Sequence, residues 1–314
     1  MSQDINLFII WIDNEVGHMK PYGNNKAGYI NQYGEIVIEA KFNSGCEFSE
    51  GVAAASLGLD GKFGFINKDG EVVIDYKFDD ADCFEEGLAG VKIKDSWGFI
   101  NKRGEIIIKP QFDFVGYFSE GYAYVRNKDR KYSFINSKGE FITDFIYDNV
   151  FSFSEGLARV HTEDGWNYID KSGEKVFNSN FEGVFDFKEG LAQVMINRKS
   201  GFMDKTGNLV IDNQYDMADE FSDGLATVEI NSKWGYINKK NEIVIEPKFD
   251  AALTFKEGMA FVKVNDKWGC INKSGDIVIE PQFEFINDFK NGLARVFIGN
   301  MISIYIDRYG NKVW

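Results

Sequence analysis

His161 is followed by two carboxylates, Glu163 and Asp164, which is the closest this sequence comes to an acid–base pair. A base of that kind needs a nucleophile to activate, and no matched one accompanies it. A second candidate is a series of acids, Glu86, Glu120, Glu155, Glu189 and Glu257, each directly before a glycine. Two of them converging in space would make the paired carboxylates of a hydrolase, but the sequence selects no pair. Their place before glycine marks them first as turn residues. Neither His18 nor His161 has metal-ligand spacing to a cysteine or to the other histidine, and both read as surface residues. Cys46, Cys83 and Cys270 are odd in number, far apart and without a C-x-x-C pair, so they read as buried thiols in a reducing compartment. Every glycine-rich stretch belongs to a repeat, and no G-x-G-x-x-G opens a helix. The expectation is a protein with no catalytic residue, no metal and no cofactor, and so not an enzyme.

Composition narrows the partners. The 314 residues carry 35 Lys+Arg against 49 Asp+Glu, a formal net charge of −14. That balance disfavours nucleic acid, whose phosphates need Lys and Arg, and disfavours anionic membranes. Hydrophobic residues make up 44% and aromatics 16%, enough for a sizeable core. The apolar run Leu7–Ile12 is short, has no basic residue before it and runs into Asp13. It fits neither a secretory signal nor a membrane span, so the expected location is the cytoplasm.

The candidates above sit inside a repeat. Gly-Leu-Ala-x-Val begins at Gly51 (as G-V-A-A-A), Gly87, Gly121, Gly156, Gly190, Gly224, Gly258 and Gly292, in steps of 34 to 36 residues. A second motif, W-G-F-I-N-K-x-G-E, is clear at Trp97–Glu105, Trp234–Glu242 and Trp268–Asp276. Weaker copies begin at Ala27, Phe63, Tyr132, Trp166, Ser200 and Ser303. A third, P-x-F-D, stands at Pro110–Asp113 and Pro247–Asp250, with Pro281–Glu284 close to it. In the first unit Gly17-His-Met-Lys-Pro occupies the place of the first motif. That gives nine units in a single array over 1–314, the first degenerate (about 1–34) and the rest covering about 35–314.

Residues 87–113 show what one unit makes. Leu88–Ile93 reads as a strand, and Trp97–Asn101, aromatic and β-branched, as a second. Lys102-Arg-Gly104 is a turn in which Asn101 bonds the backbone ahead. Glu105–Ile108 is a third strand that Pro110 is expected to stop. No helical period appears, so the chain reads as all-β, a meander of three strands per unit. A unit of about 34 residues is too short to fold alone and must pack on its neighbours.

With W-G-F-I-N-K, W-G-Y-I-N-K and W-G-C-I-N-K in view, the chain resembles the WG-repeat (KWG-repeat) proteins of bacteria. The resemblance covers all nine units and implies a β-repeat scaffold of variable repeat number; it carries over no catalytic residue. Many relatives are exported or lipid-anchored, and this chain departs from them in lacking a signal. Trp is replaced by Phe63, Tyr132, Ser200 and Ser303, and looser packing is expected in those units.

Two architectures suit such units. An open β-repeat array or solenoid is preferred, because the terminal units are atypical and would act as caps. The alternative is a closed propeller-like ring, in which a strand around Ile5–Ile10 would sit beside the final hairpin.

Function is expected where the units differ. The stretches between the Val of the first motif and the Trp position vary most; Arg126–Lys131 and His161–Gly165 are examples. The variable x of the first motif (Tyr124, Arg159, Gln193, Thr227, Phe261, Arg295) alternates to the face opposite the following Val and would line a strip if that face were open. Tyr124, Arg126, Arg159, His161, Asp164, Gln193, Phe261 and Arg295 are therefore the candidate partner-binding residues. Tyr124 and Phe261 also suit ordinary packing between units. The preferred function is a non-catalytic protein–protein interaction scaffold, with a protein and possibly basic partner. The alternatives are a cytoplasmic inhibitor or immunity protein neutralising a cationic toxin or enzyme, and a carbohydrate-binding module.

Overall fold

The recurring unit is seen well in the third repeat of a computed structural model, which describes residues 5–13, 25–58, 61–178, 181–299 and 302–314. Four antiparallel strands lie in chain order: a two-residue short strand (Asp80–Ala81), a first strand (Leu88–Ile93), a second (Ser96–Asn101) and a third (Ile106–Phe112). The short strand is an addition to the three read from the sequence. Asn101 builds the hairpin as its residue type predicts. Its Oδ1 accepts from the N–H groups of Arg103 and Glu105 at 2.9 and 3.1 Å, and its Nδ2 donates to Glu105 Oε2 at 2.6 Å.

Pro110 does not stop the third strand, which runs through it to Phe112. The strand lies at the sheet edge, where a missing N–H breaks no ladder. The second and third strands meet around a bulge at Gly98, with register pairs Trp97↔Phe112 and Phe99↔Ile108. A Cβ on Gly98 would lie 2.4 Å from the Ile108 carbonyl oxygen and 2.6 Å from Pro110 N. The glycine after Trp is thus the residue that lets the third strand dock.

Each repeat makes its own antiparallel meander, and successive repeats share no sheet. This is the separate-sheet unit of the propeller-like alternative, not a solenoid in which neighbouring turns extend common sheets. The chain divides into two compact units, Met1–Glu163 with Ile169–Lys175, and Asp164–Tyr168 with Val176–Trp314. The strands of the fifth repeat fall on both sides of that division. In the first compact unit a representative core joins the facing sheets of the second and third repeats through Phe65, Ile74, Phe78, Phe84, Val91 and Ile100. The second compact unit repeats the scheme with Tyr236, Ile245, Phe249, Phe255, Val262 and Ile271. Edge-to-face or tilted ring pairs recur in both: Phe65–Phe84 at 4.9 Å, Phe99–Phe118 at 4.9 Å and Tyr236–Phe255 at 4.9 Å.

The first repeat corrects the sequence reading. Leu7–Asp13 pairs with Asn25–Asn31 in the register Leu7↔Asn31, which matches Leu88↔Asn101 of the third repeat. The strand at Leu7 therefore takes the place of the first motif. His18 and the rest of Gly17-His-Met-Lys-Pro lie outside the described residues. The last repeat ends on its own second strand, with a bridge between Ile306 and Lys312 and a bond from Val313 N–H to Tyr305 O at 2.8 Å.

Candidate interaction surface

Six third strands read I-V-I-E-A-K-F or close variants, and all six show the same exposure pattern: two open residues, a buried one, then two exposed charged or polar residues around a half-buried one, before a buried aromatic. The open pairs are Ile36/Val37, Val72/Val73 and Ile106/Ile107 in the first compact unit. Leu209/Val210, Ile243/Val244 and Ile277/Val278 are their counterparts in the second. Ile106 is 50% exposed and Ile243 46%. Exposed carboxylates flank the pairs on one or both sides: Glu35 and Glu39, Glu71 and Asp75, Glu105, Asp212, Glu242 and Glu246, Asp276 and Glu280. Each compact unit thus repeats an aliphatic spot with an acidic border. Pro110, Pro247 and Pro281 remove an edge N–H, which disfavours strand addition and leaves side chains to make contacts.

The hairpin tips on the opposite side of the first strand are held from below. Asp79 accepts from the Lys94 N–H at 2.6 Å and pairs with Lys62; Asp250 accepts from Asn265 N–H at 2.8 Å and pairs with Lys233 at 2.7 Å. The bonds from Lys62 and Lys233 hold both carboxyls below the usual aspartate range. The aspartate after the buried Phe of the third strand thus pins tips of successive repeats.

The predicted site residues divide into two groups. Tyr124 and Arg126 are brought together. The Tyr124 ring packs over Gly116 and lies 6.3 Å from Phe114 and 6.0 Å from Tyr132. Arg126 bonds Asp113 through Nη2 at 2.6 Å and lies 5.5 Å over Phe114. In the next repeat Arg159 lies 3.6 Å over the ring of Phe151, and His161 pairs in register with Asn149. Asp164 is exposed. Gln193 and Phe261 are only 2% and 1% exposed. Gln193 donates to Ser200 Oγ at 2.9 Å, and Phe261 stacks on Phe289 at 5.3 Å. Arg295 is half-buried, bonding Ser303 Oγ at 3.2 Å over Phe297.

The variable x positions therefore do not share one open strip. The segment entering each repeat covers them: N–H groups of Asp82, Gly116, Phe151, Phe185, Asp219, Leu253 and Asn287 donate to the carbonyls of the x residues. Alternation identified two faces of the first strand correctly, and both are covered.

Three structural features escaped the sequence. Acids before the motif glycine reach the following repeat: Glu86 accepts from the N–H groups of Glu120 and Gly121 at 2.6 and 2.7 Å, and Glu257 from Gly292 at 2.9 Å. Cys46 and Cys83 approach each other, as repeat phase would have indicated, since they stand five and four residues before their glycines. Asp82 lies over Gly90, and burial, with Asp80 nearby, pushes its carboxyl up to about 6. Among the described residues no three His, Cys, Asp or Glu side chains are placed to hold a metal, and no helix is long and apolar enough to cross a membrane.

Separate meanders, repeated docking bulges and recurrent inter-repeat caps define a tandem β-meander repeat protein. The family model of the WG containing repeat matches eight times, at residues 28–62, 63–96, 97–132, 132–166, 166–199, 201–234, 234–268 and 268–301, and the chain belongs to that family. Comparison with curated protein sequences gives no match. Among solved structures, a crystal structure of the eukaryotic initiation factor is similar over 100% of this chain and 96% of its own, with TM-score 0.66 and 10% identity. The computationally designed Ika8 protein is similar over 82% and 93%, with TM-score 0.50 and 11% identity. At those identities the likeness concerns the fold alone.

Proposed function

We propose that this chain is a non-catalytic protein-interaction scaffold whose contact points are the acid-bordered aliphatic pairs of the third strands. The observation that carries the reading is their sixfold recurrence in the same exposure pattern. A monomer has no reason to keep such pairs open at every edge, and regular spacing suits a partner with several contact segments. Carboxylate borders and a net charge of −14 favour segments that combine aliphatic side chains with Lys or Arg.

The acidic borders also suit the second reading, an inhibitor of one cationic protein. Phe65, Phe99, Phe134, Tyr168, Phe202 and Tyr236 of the second strands lie in the core and Trp234 and Trp268 are half-buried against it, so a glycan-binding face has less support.

The test is capture from lysate of the source organism at low and at ~0.5 M salt, where steering between exposed charges is largely screened. Wild type is compared with a variant carrying Ile106→Ser, Ile107→Ser, Ile243→Ser and Val244→Ser. Several partners held in both salts, and lost by the variant with unchanged circular dichroism, support the scaffold. One basic protein held only at low salt supports the inhibitor. Capture that the variant leaves intact overturns the assignment of the surface.

A further inference from the structure

Cys46 and Cys83 belong to the segments that enter the second and third repeats. Ser49 Oγ of one segment donates to Phe84 O of the other at 2.6 Å, so the two run side by side. Tyr29 Oη fixes the first of them by donating to Cys46 O at 2.7 Å. Both thiols reach one acceptor: Glu47 O lies 3.3 Å from Cys46 Sγ and 3.8 Å from Cys83 Sγ. The two side chains thus converge on one carbonyl and perturb each other's thiols. Both are half-buried and so within reach of a small solute, whereas Cys270 is fully buried with its thiol on Ile271 O at 3.9 Å.

We propose that Cys46 and Cys83 are a peroxide-oxidisable dithiol, closing to a disulfide that ties the second repeat to the third. Cys46 Sγ is the more tightly held sulfur, donating to Glu47 O at 3.3 Å and accepting from Ala54 N–H at 3.3 Å, and the neighbouring Cys83 and burial raise its thiol, so the attack is assigned to Cys83. Its thiolate attacks hydrogen peroxide. The O–O bond breaks, one oxygen stays on Cys83 as a sulfenic acid, and the other leaves as hydroxide to become water with the thiol proton. The Cys46 sulfur then displaces the sulfenic hydroxyl. An S–S bond forms, and the hydroxyl departs as water with the Cys46 proton. Two thiols are oxidised and one peroxide is reduced to two waters.

Purified full-length protein is treated with hydrogen peroxide, its thiols are counted after unfolding, and its unreduced peptides are mapped by mass spectrometry. The expected result is a fall from three titratable thiols to one, with a peptide joining Cys46 to Cys83, Cys270 still reduced, and full reversal by dithiothreitol. The oxidised form should unfold at a higher urea concentration than the reduced form, because the bond restricts the unfolded chain. In Cys46→Ser a dimedone adduct should accumulate on Cys83; in Cys83→Ser, Cys46 should react at least tenfold more slowly. Should either variant fold poorly, the wild-type peptide map decides alone. Retention of all three thiols, or linkage only between separate molecules, would overturn the proposal.

Discussion

The third repeat keeps Gly98 after its tryptophan and carries a seven-residue third strand; the fourth has Ser133 at that place and no such strand. One Cβ marks the difference, together with the residues that follow it. At Gly98 the bulged backbone of residues 108–110 fills the space a side chain would need. At Ser133 the chain stands off, and the hydroxyl bridges the gap by donating to Thr143 O at 2.6 Å. Asn167 does the same in the fifth repeat, its Nδ2 donating to Phe177 O at 2.9 Å. The tryptophan is not the determinant. Ala27, Phe63 and Ser200 replace it before a retained glycine, and those repeats keep full third strands. Trp166 is present in the fifth repeat and the strand is lost. The two repeats also exchange small and large residues at a second place. In the third, Asp82 fills the space over Gly90; in the fourth, the Tyr124 ring fills the space over Gly116.

The comparison can be broken most sharply by Gly98→Val. It should cost about 3 kcal/mol, because backbone rather than a movable side chain stands in the way. Urea unfolding gives the loss, and hydrogen exchange should speed up at Ile106–Phe112 and not at Leu88–Ile93. The second test is Asp82→Asn. A carboxyl raised to about 6 stabilises the fold fully below pH 4, and that contribution is lost as pH rises through 6. The asparagine variant should therefore match wild type at pH 4 and exceed it at pH 8 by about 2 kcal/mol. An equal difference at both pH values would disprove the burial argument. Third, Ser133→Ala should cost about 1–2 kcal/mol in unfolding experiments, since Thr143 O loses its donor in a part-buried place. Ser133→Gly should not create a third strand, because residues 141–147 lack the I-V-I-E pattern. The smallest effect belongs to Glu86→Ala, which removes the cap between the compared repeats. At an exposed site it should lower stability by under about 1 kcal/mol, seen as a small fall in thermal midpoint.

Much of this fold was legible because turn chemistry is local. Asn101 and its counterparts announce their hairpins, and the acids before glycine announce theirs. Glu86 and Glu120 hold left-handed φ values of 53° and 54°, with a following glycine at 81° or 90°, as a two-residue turn between antiparallel strands requires. What was illegible depends on contacts distant in sequence. The strand at Leu7 had lost its glycine and alanine, so only its register with Asn31 reveals what it replaces. Gln193 and Phe261 were placed on the correct face, but the cover over that face comes from the preceding segment. The tryptophan drew attention in the sequence, whereas the full third strand accompanies the glycine beside it. The exposed pairs lay inside runs of four or five apolar and acidic residues that looked like ordinary strands. Only the bulge at each edge shows which of those side chains turn outward.

The carboxylate caps carry one last consequence. Within the first compact unit, Glu50 serves Gly87, Glu86 serves Gly121 and Glu120 serves Gly156; within the second, Glu189 serves Gly224, Asp223 serves Gly258 and Glu257 serves Gly292. Every such repeat offers the same acceptor forward and the same donor backward. A gene segment of one repeat length, copied in place, would encode a newcomer with both connectors already fitted. Lengthening or shortening by whole modules then needs no invention at the joints, and only the outward side chains are left for selection to rewrite.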